Sequence, residues 1–221
     1  MDYPVTVTLR DLQYHLLVAL YDPVTSFPIL AMNMAQLEVR NASSLVSSGG
    51  LGLAPEASCD FSGLTTSVIE TKSLIQCHDA NGRYILDNID EWTEHVNYLV
   101  NQSAYVGANW AFVGGICRTY DVRPPPNQVF QGYTSGTKTA TPILFVRNSL
   151  DPVTPAAEKM RQFFEDSALL TLDAVGHAAI GIPSQCTMDT IRIYFEDGVL
   201  PDEGLVCEAD VVPFLMGDGG E

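Results

Sequence analysis

Apolar positions along the chain recur in two patterns, and they change over near its middle. From Thr8 to Tyr120 they fall at helical spacing. Thr8-Leu9-Arg10-Asp11 resembles a capping box, and Leu9, Leu12, Leu16, Leu17 and Leu20 mark one face of a helix that stops near Pro23. A second helix is expected from Phe27, with Leu30, Met34 and Leu37 on one face and its end at Asn41 to Ser44. Its methionines read as core filling. Leu64 to Ile75 predicts a third helix, followed by a turn at Cys77-His78-Asp79. Asn88 caps a fourth, with Ile89, Trp92, Val96 and Leu99 inward and Asp90, Glu91, Glu94 and His95 outward. Trp110 to Tyr120 closes the helical part, and the stiff Pro124-Pro125-Pro126 run marks a boundary.

Beyond that boundary the pattern is strand, helix, strand. Pro142 to Val146 is a short apolar run without alternation, as expected of a parallel strand buried on both faces. Asp151 follows on a loop, held out of the helical region by Pro152, with Pro155 suited to a first helical turn. A helix over Ala156–Asp166, with Met160, Phe163 and Phe164 on one face, leads into a second parallel strand, Ala168–Leu172. The chain then reaches Gly176-His177. Asp151 and His177 thus emerge from the carboxyl ends of adjacent parallel strands, where open α/β sheets place ligands, in the chain order of the acid and base of α/β-hydrolases. Ser184–Glu196 reads as a last helix with Ile191, Tyr194 and Phe195 inward, stopped by Gly198.

The segments TPILFVRNSLDPVTP, VGHAAIGIPSQCT, IRIYFEDGVLPDEGLVCEAD and LIQCHDA resemble the carboxyl-terminal part of α/β-hydrolases similar to tripeptidyl aminopeptidase, a serine-peptidase family. The resemblance covers most of the chain. It implies Asp151 as catalytic acid and His177 as catalytic base, and it puts LIQCHDA beside the mouth of the site. It implies an incomplete α/β-hydrolase, with residues 1–123 a mainly helical lid or cap and residues 124–221 the last two parallel strands and terminal helices of the core. In an aminopeptidase-like lid, the carboxylates of Glu91 and Glu94 are candidates to hold a peptide's free amino terminus. The family has a cysteine pair around its last helix. Here that pair is Cys186 and Cys207, and a turn at Pro201 brings the second back toward the helix start. Where the family often has Cys directly after the histidine, this chain has Ala178.

The nucleophile is the larger departure. A serine elbow needs G-x-S-x-G so that the backbone can take the strained turn that exposes the hydroxyl. No such pattern occurs, and Ser135 in Gly132-Tyr133-Thr134-Ser135-Gly136 lacks both the spacing and a preceding strand.

Composition narrows the partners. The chain has 221 residues, 46% apolar and 17% charged, enough for a real core. Its 27 acidic against 11 basic residues give a net charge of −16, which repels phosphate backbones and anionic lipid, so neither nucleic acid nor membrane is an expected partner. Met1-Asp2-Tyr3-Pro4 has neither the basic start nor the apolar core of a signal peptide. Cys59, Cys77, Cys117, Cys186 and Cys207 lack metal-type spacing, so no metal or other cofactor is expected and disulfides are the better reading. With the sequons at Asn41 and Asn101, they point to a secreted ancestry. Ser47 to Gly52 lacks a Walker lysine and reads as a flexible loop. Two functions are compatible with these observations. One is an enzyme part that supplies acid and base to a peptide or ester hydrolase and depends on an amino-terminal hydrolase half. The other is a dead remnant serving as an interaction module, its exposed strand edge pairing with a partner or a second copy.

Overall fold

The computed structural model describes residues 6–47, 68–83, 85–129, 131–151 and 156–215. Cys59, most of the Val46 to Pro55 loop, Leu64 to Ser67 and the prolines 152 and 155 lie outside the described residues. The chain forms two compact units. One combines Met1–Leu16 with Asn41–Gln131, and the other combines Leu17–Arg40 with Gly132–Glu221. The division differs from a boundary at residue 123, because the segment from Leu17 to Arg40 groups with the strands rather than with the later helices.

Helix α1 (Leu9–Ala19), which belongs to the first unit as far as Leu16, begins on a reciprocal cap. The Thr8 N–H and hydroxyl both donate to Asp11 Oδ2, at 2.8 and 2.7 Å. Helix α2 (Pro23–Glu38) belongs to the second unit; after it come the short α3 (Ser43–Ser47) and α4 (Val68–Ala80). Helix α4 runs through Cys77, His78 and Asp79, so the expected turn there is instead its last turn. Two contacts hold it in helix. Cys77 is bonded to Cys117, and the Arg83 guanidinium donates to the terminal carbonyls of Asp79 and Ala80. Helix α5 (Ile89–Gln102) starts on Asn88, whose side chain accepts from the N–H groups of Asp90 and Glu91. It packs on α6 (Gly107–Gly115) by close backbone approach, with Gly107 against the Leu99 carbonyl and Gly115 under the Trp92 ring. Ile89 is exposed, and His95 turns toward Trp92, ring centroids 5.8 Å apart, so the covered stripe is rotated from the expected one.

The second unit is built on strands β1 (Ile143–Leu150), β2 (Ser167–Val175) and β3 (Val206–Glu208), in the order β1-β2-β3 and parallel throughout. A third strand was not expected. It is three residues long, too short for its pattern to register, and only pairing with Thr171 to Asp173 makes it a strand. Leu170 and Leu172 are 0% exposed at the centre of the core. Leu144, Val146, Ile182 and Cys207 pack around them, with Ile191 of α8 (Gln185–Asp197). Ala168, Leu169 and Leu170 are all buried, as a central strand without alternation requires, whereas β1 is only half-buried because it is paired on one side alone among the described residues.

Three further expectations are corrected. The helix read over Ala156–Asp166 is the short α7 (Ala157–Arg161). Beyond it the backbone exchanges hydrogen bonds with Thr137 through Phe163 and Glu165, and Phe164 packs between Tyr133 and Phe145, so tertiary partners outcompete another helical turn. In α8, whose N-cap is Ser184 and whose left-handed stop is Gly198, the buried stripe runs through Thr187, Ile191 and Tyr194. Phe195, 80% exposed, lies just past its edge. In α2, which begins at Pro23 rather than Phe27 because Asp22 caps it and proline suits its first turn, the buried residues are Pro23, Leu30 and Asn33. Met32 and Met34 are exposed there and fill no core.

Candidate active site

Asp151 is the first residue after β1, and His177 is the second after β2. Because the strands are parallel neighbours, both side chains start from the same end of the sheet. His177 Nδ1 lies 3.2 Å from Asp151 Oδ1 and 3.4 Å from Oδ2. The carboxylate is 4% exposed and the imidazole 29%. A buried carboxylate on Nδ1 fixes the proton there and makes Nε2, the nitrogen turned away, the one with a free lone pair.

Four features aim the histidine. The ladder is irregular between Asn148 and Leu150: two steps on β1, from 148 to 150, span three on β2, from Leu172 to Val175. Such a bulge bends a strand end and re-aims the side chains just past it. Ser149 plugs it, its hydroxyl donating to Asp173 Oδ1 at 2.6 Å and accepting from the Ala174 N–H at 3.1 Å. The buried Asn148 then reaches the histidine loop, Nδ2 donating to the Gly176 carbonyl at 2.8 Å, while the Gly176 N–H donates to the Leu150 carbonyl at 3.1 Å. Gly176 itself has φ +137, and a Cβ on it would meet Pro23 Cδ at 2.8 Å. The next residue but one, Ala178, sits at φ +66 despite its Cβ, a conformation costing about 1–3 kcal/mol.

The fourth feature comes from far upstream. The Tyr21 carbonyl accepts the His177 N–H at 3.3 Å, and the Tyr21 ring meets the imidazole edge to face, centroids 5.1 Å apart. Neither Tyr21 nor Asn148 announces itself in the sequence. Asn148 follows the apolar run in a polar stretch, between Arg147 and Ser149, that does not set it apart, and Tyr21 lies in a turn after α1.

The remaining candidates make contacts of their own. Glu91 Oε2 accepts the Asp87 N–H at 2.9 Å, so this carboxylate is engaged at the start of α5, and Glu94 is exposed on the same helix. Both belong to the first unit, whereas Asp151 and His177 belong to the second. Cys186 and Cys207 are bonded, Cα atoms 5.6 Å apart, tying α8 to β3. Cys77 and Cys117, whose pairing the sequence left open, are also bonded. Among the described residues no serine hydrogen-bonds His177; Ser135 lies in an exposed turn.

A parallel sheet with an acid–imidazole pair at its carboxyl end defines the second unit as α/β-hydrolase-like. Residues 103–207 match the protein family described as TAP-like protein, and the carboxyl-terminal portion of this chain carries a TAP-like domain. No curated protein matches the chain.

Proposed function

We propose that this chain supplies the acid and base of a serine hydrolase of peptidase or esterase type. The serine would come from a separate amino-terminal hydrolase segment. The observation that carries this reading is the buried Asp151 carboxylate on Nδ1 of a partly exposed His177. In the completed site, His177 Nε2 takes the serine proton as Oγ bonds to the substrate carbonyl carbon. Asp151 stabilises the resulting imidazolium, and Nε2 returns the proton to the departing amine or alkoxide as its bond to carbon breaks. Water then repeats the sequence on the acyl-enzyme and regenerates the serine. Backbone donors for the oxyanion belong largely to the segment that bears the nucleophile. Two disulfides among the described residues support an oxidising compartment as the place of work.

The test is reconstitution. The purified chain alone should show no acyl-enzyme burst with a p-nitrophenyl ester and no labelling by a serine-directed phosphonate. Mixed with a TAP-like amino-terminal half, it should turn over ester, and His177→Ala should abolish that turnover. Stoichiometric phosphonate labelling of the isolated chain would place the nucleophile within it and refute the proposal.

One observation favours a second reading, an interaction module without chemistry. Strand β1 pairs only with β2 among the described residues, which supports strand addition by a partner or a second copy at its other edge. Binding of the amino-terminal half with no turnover would favour this reading over the first.

A further inference from the structure

The second unit has a concavity whose lining includes neither Asp151 nor His177. It is a cleft of about 450 Å³ between α7, the start of β2 and the turn before β3, within the size range of small-ligand sites. Arg147 lies in its floor, four residues before Asp151 and thus roughly 13 Å back along the strand.

The charges lining this cleft are incompletely matched. Arg161 is paired with Glu203 at 2.8 Å. Arg147 is half-buried, and its Nε donates to the hydroxyl of Thr171, its register partner, at 3.2 Å. That contact fixes the guanidinium plane, and among the described residues the two terminal nitrogens have no hydrogen bond or ion pair. Glu158 on α7, also half-buried, has neither a hydrogen bond nor an ion pair among the described residues. One cation and one anion therefore face the same cleft without pairing with each other. Half-buried charges gain most from a partner that completes them, and Arg presents a planar fork suited to carboxylate. Phosphate would meet the carboxylates of Glu158, Asp166 and Glu203 and be repelled.

We propose that this cleft binds a small zwitterion, a free amino acid or dipeptide, with Arg147 on its carboxylate and Glu158 on its ammonium group. The proposal does not rest on the hydrolase reading, since none of the cleft's residues belongs to the acid–imidazole pair.

The experiment is a two-dimensional ¹H–¹⁵N NMR titration of the full chain with L-alanyl-L-alanine up to about 10 mM, alongside its N-acetyl and C-amide forms. Saturable shifts should centre on residues 166–171 and 203–206, and each blocked form should bind at least about 10-fold more weakly. Glu158→Gln and Arg147→Met should each weaken the parent dipeptide by a similar factor. Should Arg147→Met fail to fold, Glu158→Gln and the blocked forms decide alone. Equal binding of either blocked form, no saturable shift, or shifts centred on residues 151 and 177 would each overturn the assignment.

Discussion

Gly176 packs tightly on Pro23: a Cβ on the glycine would stand 2.8 Å from the proline Cδ and 3.1 Å from its Cγ. The first residue of α2 thereby limits what can precede His177. Gly176→Ala combines that overlap with a backbone at φ +137, and should cost at least about 2 kcal/mol in urea unfolding. Gly181→Ala is the matched control, because nothing lies within 4 Å of its Cβ position and its φ is ordinary. It should shift stability by no more than about 0.5 kcal/mol.

Asn148→Ala should cost about 1–3 kcal/mol, because the Gly176 carbonyl would lose its side-chain donor in a buried setting. Amide hydrogen exchange should separate local from global effects. Gly176 and His177 amides should exchange faster in the variant by more than the global stability loss explains.

The two disulfides close spans of 40 and 21 residues, for Cys77–Cys117 and Cys186–Cys207. By the chain-entropy relation their removal should cost about 4 and about 3 kcal/mol respectively. Replacing each pair with alanine and comparing urea midpoints checks both the size and the order.

His15 carries a pH effect with a defined sign. Burial pushes its imidazole below the ordinary value, with nearby Asp11 opposing, and Nε2 is buried without a partner among the described residues. The unfolded chain therefore binds the proton more readily. Stability should be complete above about pH 6.5, decline as pH falls through the window down to the folded value, and level off below it. His15→Gln should flatten the difference in unfolding free energy between pH 7.5 and pH 5.

In the reconstituted enzyme, Asp151→Asn should reduce kcat by about 10⁴-fold, because an amide on Nδ1 favours the wrong tautomer. Tyr21→Phe should stay near the parent rate, since both its contacts with His177 use the backbone carbonyl and the ring rather than the hydroxyl. Steady-state kinetics on an activated ester measures both.

The sequence by itself determined the strand-loop-helix-strand frame and the positions of Asp151 and His177 at consecutive strand ends, because buried parallel strands leave an uninterrupted apolar run that needs no partner to be read. It determined two helix starts as well: the Thr8–Asp11 box and Asn88 act within three residues of themselves, and local hydrogen bonds are legible locally. What only the tertiary structure decided are the features whose partners lie far along the chain. Strand β3 exists through its pairing with β2, and α7 stops because Thr137 takes the hydrogen bonds that another turn would have used. The methionines of α2 point outward because Leu30 and Asn33 define its covered side. Above all, the seat of His177 is assembled from Asn148, Tyr21 and Pro23, residues 29, 156 and 154 positions before it. No periodicity encodes such distances, since what relates these residues is the crossover of β1 to β2 and the packing of α2 against the histidine loop.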